Sequence, residues 1–271
     1  MNQHHDPFFA VPKTVVTTSE GDVELPICYF DCSHYMALFR VDAARAAAKL
    51  QDVPLEPVLV SRKAVAILSF FKYRATTLGP YHEVGLALLV TPRGRASPLG
   101  SLTDLLQQTR NESLGSYVLD LPVTTAEAKA AGCEIWGYPK FVTRLPIQLD
   151  EERFRARILD PDGGLILELA GQRGHVLPET LPGMALVTYS MLGGRMLRTR
   201  VETRASCATG GGGSLKLAVG DSPHRMARNL ADLGLDGQTP KLFQTTEDFQ
   251  SLLFAGQEVD QEFHEDRKSQ N

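Results

Sequence analysis

The sequence predicts an α+β fold built mainly on antiparallel sheet, with a few short helices. Short apolar runs of strand length recur along the chain, most of them bounded by Gly, Pro, Asn or Asp. Segments of helical character are few and brief. Strands do not alternate with long helices, as a doubly wound fold would require.

Taken in order, the opening segment to Gly21 reads as an extended arm with a strand at Thr14–Thr18. Leu25–Phe30 and Tyr35–Phe39 read as two short strands. Asp42 stands before Ala43, Ala44, Ala46, Ala47 and Ala48, an N-cap followed by strong helix formers, and Pro54 and Pro57 close that helix. Val65–Phe71 and Val84–Val90 are buried strand runs, with a Gly-Pro turn signal inside Thr77–Tyr81. Thr91–Ser101 is a loop, Leu102–Arg110 a brief helical turn and Tyr117–Val123 a strand. Thr125–Ala131 forms a helix, with Thr124 as N-cap and Gly132 as its stop.

Phe141–Leu149, Arg153–Leu159 and Leu165–Leu169 read as a meander, turned at Asp162-Gly163-Gly164. Ala185–Leu192 and Met196–Val201 flank Gly193-Gly194. Gly210–Gly213 is a flexible loop without the Lys-Ser/Thr ending of a phosphate loop, and Leu215–Val219 is a strand. Ser222–Leu233 carries Met226, Leu230 and Leu233 at helical spacing, with Gly234 as the stop. Phe249–Ala255 is the last strand. The expected organisation is one domain over 1–259 and a polar, disordered tail over 260–271.

Composition narrows the function classes. Of 271 residues, 43% are apolar and 22% charged, enough for a core of ordinary size without metal or disulfide staples. The net charge of −4, with Lys and Arg spread along the chain, argues against a nucleic-acid partner. No apolar run reaches about 18 residues, so no membrane span is expected. Met1–Pro12 lacks a signal-peptide core, which implies a cytoplasmic location and reduced thiols at Cys28, Cys32, Cys133 and Cys207. Cys28 and Cys32 have no second ligand pair at zinc-finger spacing, and His34, His82, His175 and His224 have no paired spacing, so no metal is expected.

The segment richest in chemistry runs from Gly132 to Arg144. The chain's one Trp, a Tyr, a Gly and a Pro crowd together immediately before Lys140. Pro139 fixes its own φ and pushes Tyr138 out of the helical region, so the approach to Lys140 is stiff. A lysine in apolar surroundings loses solvation of its charged form, which favours the free amine. Such an amine attacks a ketone or aldehyde to give a Schiff base, whose protonated imine draws electrons from the neighbouring carbon. A lysine after Pro at a strand edge is also a common solvated guard against aggregation. Local residues leave both readings open.

Glu134-Ile135-Trp136-Gly137-Tyr138-Pro139-Lys140 resembles the Schiff-base segment of the acetoacetate decarboxylase-like family. Leu78-Gly79-Pro80-Tyr81-His82-Glu83-Val84, followed by an apolar strand, resembles that family's other recognisable block, and the order and separation of the two also fit. A weaker likeness runs from Leu25–Asp42 to the helix near His224. The resemblance implies a β-cone or barrel, a homo-oligomer and a reaction without cofactor. It implies that Lys140 forms the imine and that Glu83 is the active-site glutamate that moves protons. Glu134 then supports the loop, while Tyr81, Tyr138, Trp136 and Phe141 are candidate substrate contacts.

The activity implied is that of a lyase: a small β-keto acid joins Lys140 as a Schiff base and loses CO2. The chain departs from the family pattern at the groups that handle a carboxylate. Phe141 stands where a second lysine would follow the first, Leu68 where the family has a carboxylate, and the family's arginine falls near Cys32. A cation would have to come from Arg74, Arg144, Arg195, Arg198 or Arg200. Two alternatives follow: a Schiff-base aldolase or dehydratase acting on a small keto acid or aldehyde, and a non-catalytic small-molecule binding protein with the same pocket.

Overall fold

The computed structural model describes residues 6–95, 114–150 and 153–259. A hairpin of β1 (Thr14–Thr18) and β2 (Gly21–Leu25) leads into β3 (Ile27–Val41) and the short helix α1 (Ala43–Ala48). β4 (Leu55–Pro57), β5 (Leu59–Val60), β6 (Lys63–Thr76) and β7 (Tyr81–Pro92) follow. β8 (Gly115–Val123) runs into helix α2 (Ala126–Trp136) and the short β9 (Lys140–Val142). The meander is β10 (Ile147–Asp150), β11 (Arg153–Leu159) and β12 (Leu165–Gln172). The long hairpin of β13 (Val176–Leu192) and β14 (Arg195–Gly210) precedes β15 (Lys216–Val219), helix α3 (Arg225–Asp232) and β16 (Leu242–Glu258).

Strand pairing gives the α+β, mainly antiparallel architecture that the sequence predicts. Seven strands in the order β7-β6-β3-β16-β14-β13-β8 close on themselves, because β8 pairs with both β13 and β7. Every neighbour in the ring is antiparallel except β13 and β8, which run parallel. A second sheet, β10-β11-β12-β15, covers part of the barrel strands.

Side chains alternate across each strand, so the two faces of the barrel sheet have different fates. One face carries Tyr35, Phe39, Leu68, Phe70, Leu86 and Leu88. They form one large core with Phe154, Ile158, Leu167 and Leu169 of the second sheet and with Met226 and Leu230 of α3. The opposite face carries two smaller, separate apolar groups. Tyr29, Tyr73, Tyr81, Leu121 and Val123 pack with α2 in one. Leu38, Val58, Val65 and Leu89 form the other. Glu83 and Lys140 lie on this second face.

Several expected boundaries move. Leu25–Phe30 and Tyr35–Phe39 belong to the single strand β3, which continues through the polar run Asp31–His34. There Arg74 bonds both Asp31 and the buried Ser33, and the strand carries on across a bulge at Asp31 in its pairing with β6. β13, β14 and β16 are much longer than their apolar runs, because Thr199, Thr203, Gln244, Thr245 and Thr246 are buried within the pairings. Phe141–Leu149 is two strands, broken where Thr143 turns its hydroxyl onto Leu159 O (2.7 Å) ahead of Pro146. α3 starts at Arg225 behind a His224 cap, later than the expected Ser222. The turn expected at Leu102–Arg110 and the tail over 260–271 lie outside the described residues, as does part of the Thr91–Ser101 loop. No helix among the described residues is long and apolar enough to cross a membrane.

Candidate active site

Lys140 enters the sheet because β8 changes partner halfway along its length. Its first part pairs with β13 at Ser116 and Tyr117; its second pairs with β9, setting Leu121 against Lys140. The chain reaches that position through α2, which ends later than expected. Thr125, not Thr124, caps the helix, accepting from Ala128 N, and Gly137 rather than Gly132 ends it. Gly137 has φ 68°, and the N–H groups of Gly137 and Tyr138 donate to the carbonyls of Cys133 and Gly132. This is the left-handed glycine stop that frees a helix to reverse direction. A side chain at Gly137 would also collide with Met191 O.

Gly132 therefore lies inside α2, where its role is spatial. A Cβ there would run into Cδ and Cε of Lys140. The missing side chain is the channel along which the lysine passes the helix. Its Nζ ends 2.7 Å from Oε2 of Glu83, and the two side chains are only 6% and 9% exposed.

Glu83 is placed by β7 on the same face. Its other oxygen, Oε1, faces the Tyr73 hydroxyl at 3.4 Å, a long contact beside the lysine bond. Tyr29 and Tyr81 share a hydrogen bond of 3.3 Å, and the rings of Tyr29, Tyr73 and Tyr81 pack at 4.5 and 4.7 Å. Burial pushes the phenols of these three tyrosines well above their ordinary range, with the Glu83 charge adding to the shift. They remain neutral, acting as walls and hydrogen-bond donors.

The expected site residues separate into two groups. Lys140, Glu83 and Tyr81 come together; the Lys140 ammonium lies 5.9 Å from the Tyr81 ring centroid, at the outer limit of a cation–π contact. Tyr138 stands two residues before the lysine, with its hydroxyl bonded to Thr188 Oγ1 at 2.6 Å and its phenol pushed up to about 12 by burial. Trp136 stacks on Tyr138 and donates to Phe254 O at 2.9 Å, anchoring the end of α2 to β16. Phe141 faces away. As the next residue on an extended strand it points to the opposite side of the sheet from Lys140, and its ring lies 4.2 Å from that of His224. Glu134 accepts from Ser19 N and Oγ and ties α2 to the β1–β2 turn, the supporting role expected of it.

Several groups escaped the sequence reading. Gly132 looked like a helix stop, and only the later Gly137 could have warned otherwise. Tyr73 is signalled by the odd-numbered face of β6 once Glu83 is placed. His34, read only as a histidine without paired spacing, lies between Phe71 and Phe249 at 4.3 and 4.9 Å. Its Nε2 is buried without a partner, and burial lowers its pKa to about 3. Of the arginines considered as cation sources, Arg74 is bonded to Asp31, while Arg195 and Arg200 pair with Glu258 and Glu202.

Comparison with known proteins adds the lineage. The fold matches the acetoacetate decarboxylase of Legionella pneumophila with a TM-score of 0.61 at 16% identity, covering 94% of both chains. The enduracididine biosynthesis enzyme MppR, complexed with pyruvate, matches at 0.58 and 15% identity over 88% of this chain and 92% of its own. An acetoacetate decarboxylase-like enzyme from Sphingomonas wittichii RW1 matches at 0.54 and 14% identity over 88% and 94%. Among curated proteins there is no match. The family model described as Acetoacetate decarboxylase (ADC) matches residues 13–207, and with most of its length so covered the chain belongs to the acetoacetate decarboxylase family.

Proposed function

We propose that this protein is an imine-forming enzyme in which Lys140 attacks a small carbonyl compound and Glu83 moves the protons. The observation that carries the reading is the buried Lys140–Glu83 pair, 2.7 Å apart and almost sealed from solvent. A lysine cannot attack while it is an ammonium, and Glu83, the one carboxylate bonded to it among the described residues, is positioned to take its proton. The amine then adds to the carbonyl carbon to give a carbinolamine. Glu83 returns the proton to the departing hydroxyl, water leaves, and the iminium that forms faces the restored carboxylate. Tyr73, neutral and pointed at Oε1, steadies the carboxylate through the cycle.

From the iminium, a β-keto acid would lose CO2. The electrons of the breaking carbon–carbon bond flow into the C=N bond to give an enamine, which is protonated and hydrolysed to release the ketone. The lysine itself provides the electron sink, so the scheme calls for no cofactor. A second reading uses the same imine for aldol addition, cleavage or dehydration. It is favoured by Phe141, which replaces the expected second lysine and turns to the other face of the sheet. It is also favoured by the related MppR, seen with the condensation product of pyruvate and imidazole 4-carboxaldehyde.

Imine formation expels the carbonyl oxygen as water and hydrolysis of the imine installs one from solvent, and this exchange tests the proposal without any reductant. Acetone incubated in 18O water with the protein is expected to exchange its oxygen faster than with the Lys140→Ala variant. Equal rates for the two proteins would remove Lys140 from the chemistry. Measuring CO2 release from acetoacetate then separates decarboxylation from the second reading.

A further inference from the structure

The segment before β1 is fastened over the start of β3. Arg204 pairs with Asp6 and lies over the rings of Phe8 and Phe9, at 4.6 and 5.6 Å. Phe9 packs with Cys28 and Leu252, cross-strand partners on β3 and β16, and its ring lies 4.8 Å from that of Phe30. Lys13 closes the segment, one residue ahead of β1. Its Nζ donates to Pro26 O at 2.9 Å and stands 2.6 Å from Cys28 Sγ. Cys28 is only 1% exposed, whereas Lys13 is exposed to solvent.

The separation of amine and thiol sets this pair apart. Sulfur is larger than oxygen, and N–H···O bonds already run from about 2.7 to 3.2 Å. Elsewhere the thiols keep ordinary distances: Cys32 Sγ lies 3.1 Å from Ser33 O and Cys133 Sγ 3.3 Å from Tyr138 O. A nitrogen 2.6 Å from sulfur is closer than a hydrogen bond would hold it. The spacing matches instead two single bonds that meet at one bridging oxygen. Both atoms are also held in place. Pro26 O directs the amine, and the backbone of Cys28 is locked to Thr77, whose Oγ1 accepts from Cys28 N at 3.2 Å and whose N donates to Cys28 O at 3.1 Å.

We propose that Lys13 and Cys28 form a modification site at which dioxygen installs a covalent N–O–S bridge, joining the N-terminal segment to β3. The neutral pair carries three hydrogens, one on sulfur and two on nitrogen. One atom of the dioxygen becomes the bridge, bonded to Sγ and to Nζ. The other leaves as water with two of those hydrogens, and the third stays on nitrogen. Sulfur, carried to the sulfenic level, and nitrogen each give up two electrons, and dioxygen takes all four. Two equivalents of a dithiol reverse the step, restoring thiol and amine and releasing the bridging oxygen as water. The bridge closes a loop between residues 15 apart, and such a cross-link stabilises the fold by restricting the unfolded chain. It uses neither Lys140 nor Glu83, so it stands or falls independently of the imine reading.

The test is peptide mass spectrometry on the full chain, purified without reductant and held in air-saturated buffer. Cleavage after Glu20 and Glu24 places Lys13 and Cys28 on separate peptides. The expected result is a joined pair with one oxygen more and two hydrogens fewer than the two peptides together, which dithiothreitol separates. The joined pair is expected to be absent from protein kept anaerobic and from Lys13→Arg and Cys28→Ser, whose folding is checked by thermal melts. Dithiothreitol is expected to lower the unfolding midpoint of the aerated protein by several degrees and to leave that of Lys13→Arg unchanged. Peptides that stay separate after prolonged aeration, a pair joined without the extra oxygen, or a pair joined through Cys32 would each overturn the inference.

Discussion

Two buried carboxylates on neighbouring strands, Glu83 on β7 and Asp120 on β8, show how one kind of ion pair serves two purposes. Asp120 is wholly buried on the face of the large core, and its partner is a half-exposed arginine. Arg225 donates through Nε and Nη2 to one oxygen, and Asn229 Nδ2 donates to the other at 2.7 Å. Burial still pushes the Asp120 carboxyl above its ordinary range, against the pull of those donors. Both donors belong to α3, so the pair fastens that helix to β8. A guanidinium does not give up its proton in a protein, and this pair can only hold.

Glu83 is held less completely and by a group that can change state. Its bond to Lys140 is short, its contact with Tyr73 is long, and both partners of the pair are nearly sealed from water. A lysine can pass a proton to the carboxylate across that bond, after which both groups are neutral and the amine is a nucleophile. The lesson is that burial and pairing alone do not mark a reactive site. What the proposed imine chemistry requires is a partner able to lose its charge.

Breaking each member of the comparison should give effects of different size and kind. Lys140→Ala should abolish adducts at this position altogether, and because it leaves Glu83 buried without its partner it should also lower stability by about 3–5 kcal/mol in denaturant unfolding. Glu83→Gln should slow imine formation by about 10²- to 10⁴-fold, the usual worth of a positioned acid–base group, with adduct still detectable after long incubation. Gly132→Ala sharpens the argument about placement. Alanine is the better helix former by about 1 kcal/mol, yet it should destabilise the protein and reduce trapping, since its methyl occupies the path of Lys140.

Asp120→Ala should act in the reverse sense. It leaves the α3 donors without their acceptor and should cost about 1–3 kcal/mol in denaturant unfolding, with the trapping rate unchanged. At neutral pH the smallest effect is expected at His34. This ring is held neutral in the fold with its pKa lowered to about 3, whereas unfolded chains protonate it near the ordinary histidine value of about 6.5. Its contribution is therefore complete above that value and is lost as pH falls through it. His34→Phe should flatten the stability profile between those values by up to about 1.4 kcal/mol per pH unit.

Much of this was legible in the sequence where local chemistry decides the structure. Asp42 caps its alanine-rich helix as expected, accepting from the N–H groups of Ala44 and Arg45. β1 and β11 keep the expected limits, since their flanking turns are set by Ser19–Glu20 and by Asp160–Gly164. The two sequence blocks that pointed to Glu83 and Lys140 meet in space although 57 residues separate them. Less legible was anything fixed by partners far along the chain. Nothing near Asp31–His34 announces that Arg74 and Glu247 will satisfy its polar side and let β3 continue. Nor does local sequence distinguish Gly132 from Gly137: the first is needed because a lysine from β9 passes over it, the second because the backbone there is left-handed.

The most direct test of the central claim is borohydride reduction of the protein with acetone, followed by peptide mapping. The account predicts one isopropyl-modified residue, Lys140, with no modification at that peptide in the Glu83→Gln variant over the same short interval. Modification spread over exposed lysines, with Lys140 untouched, would contradict it.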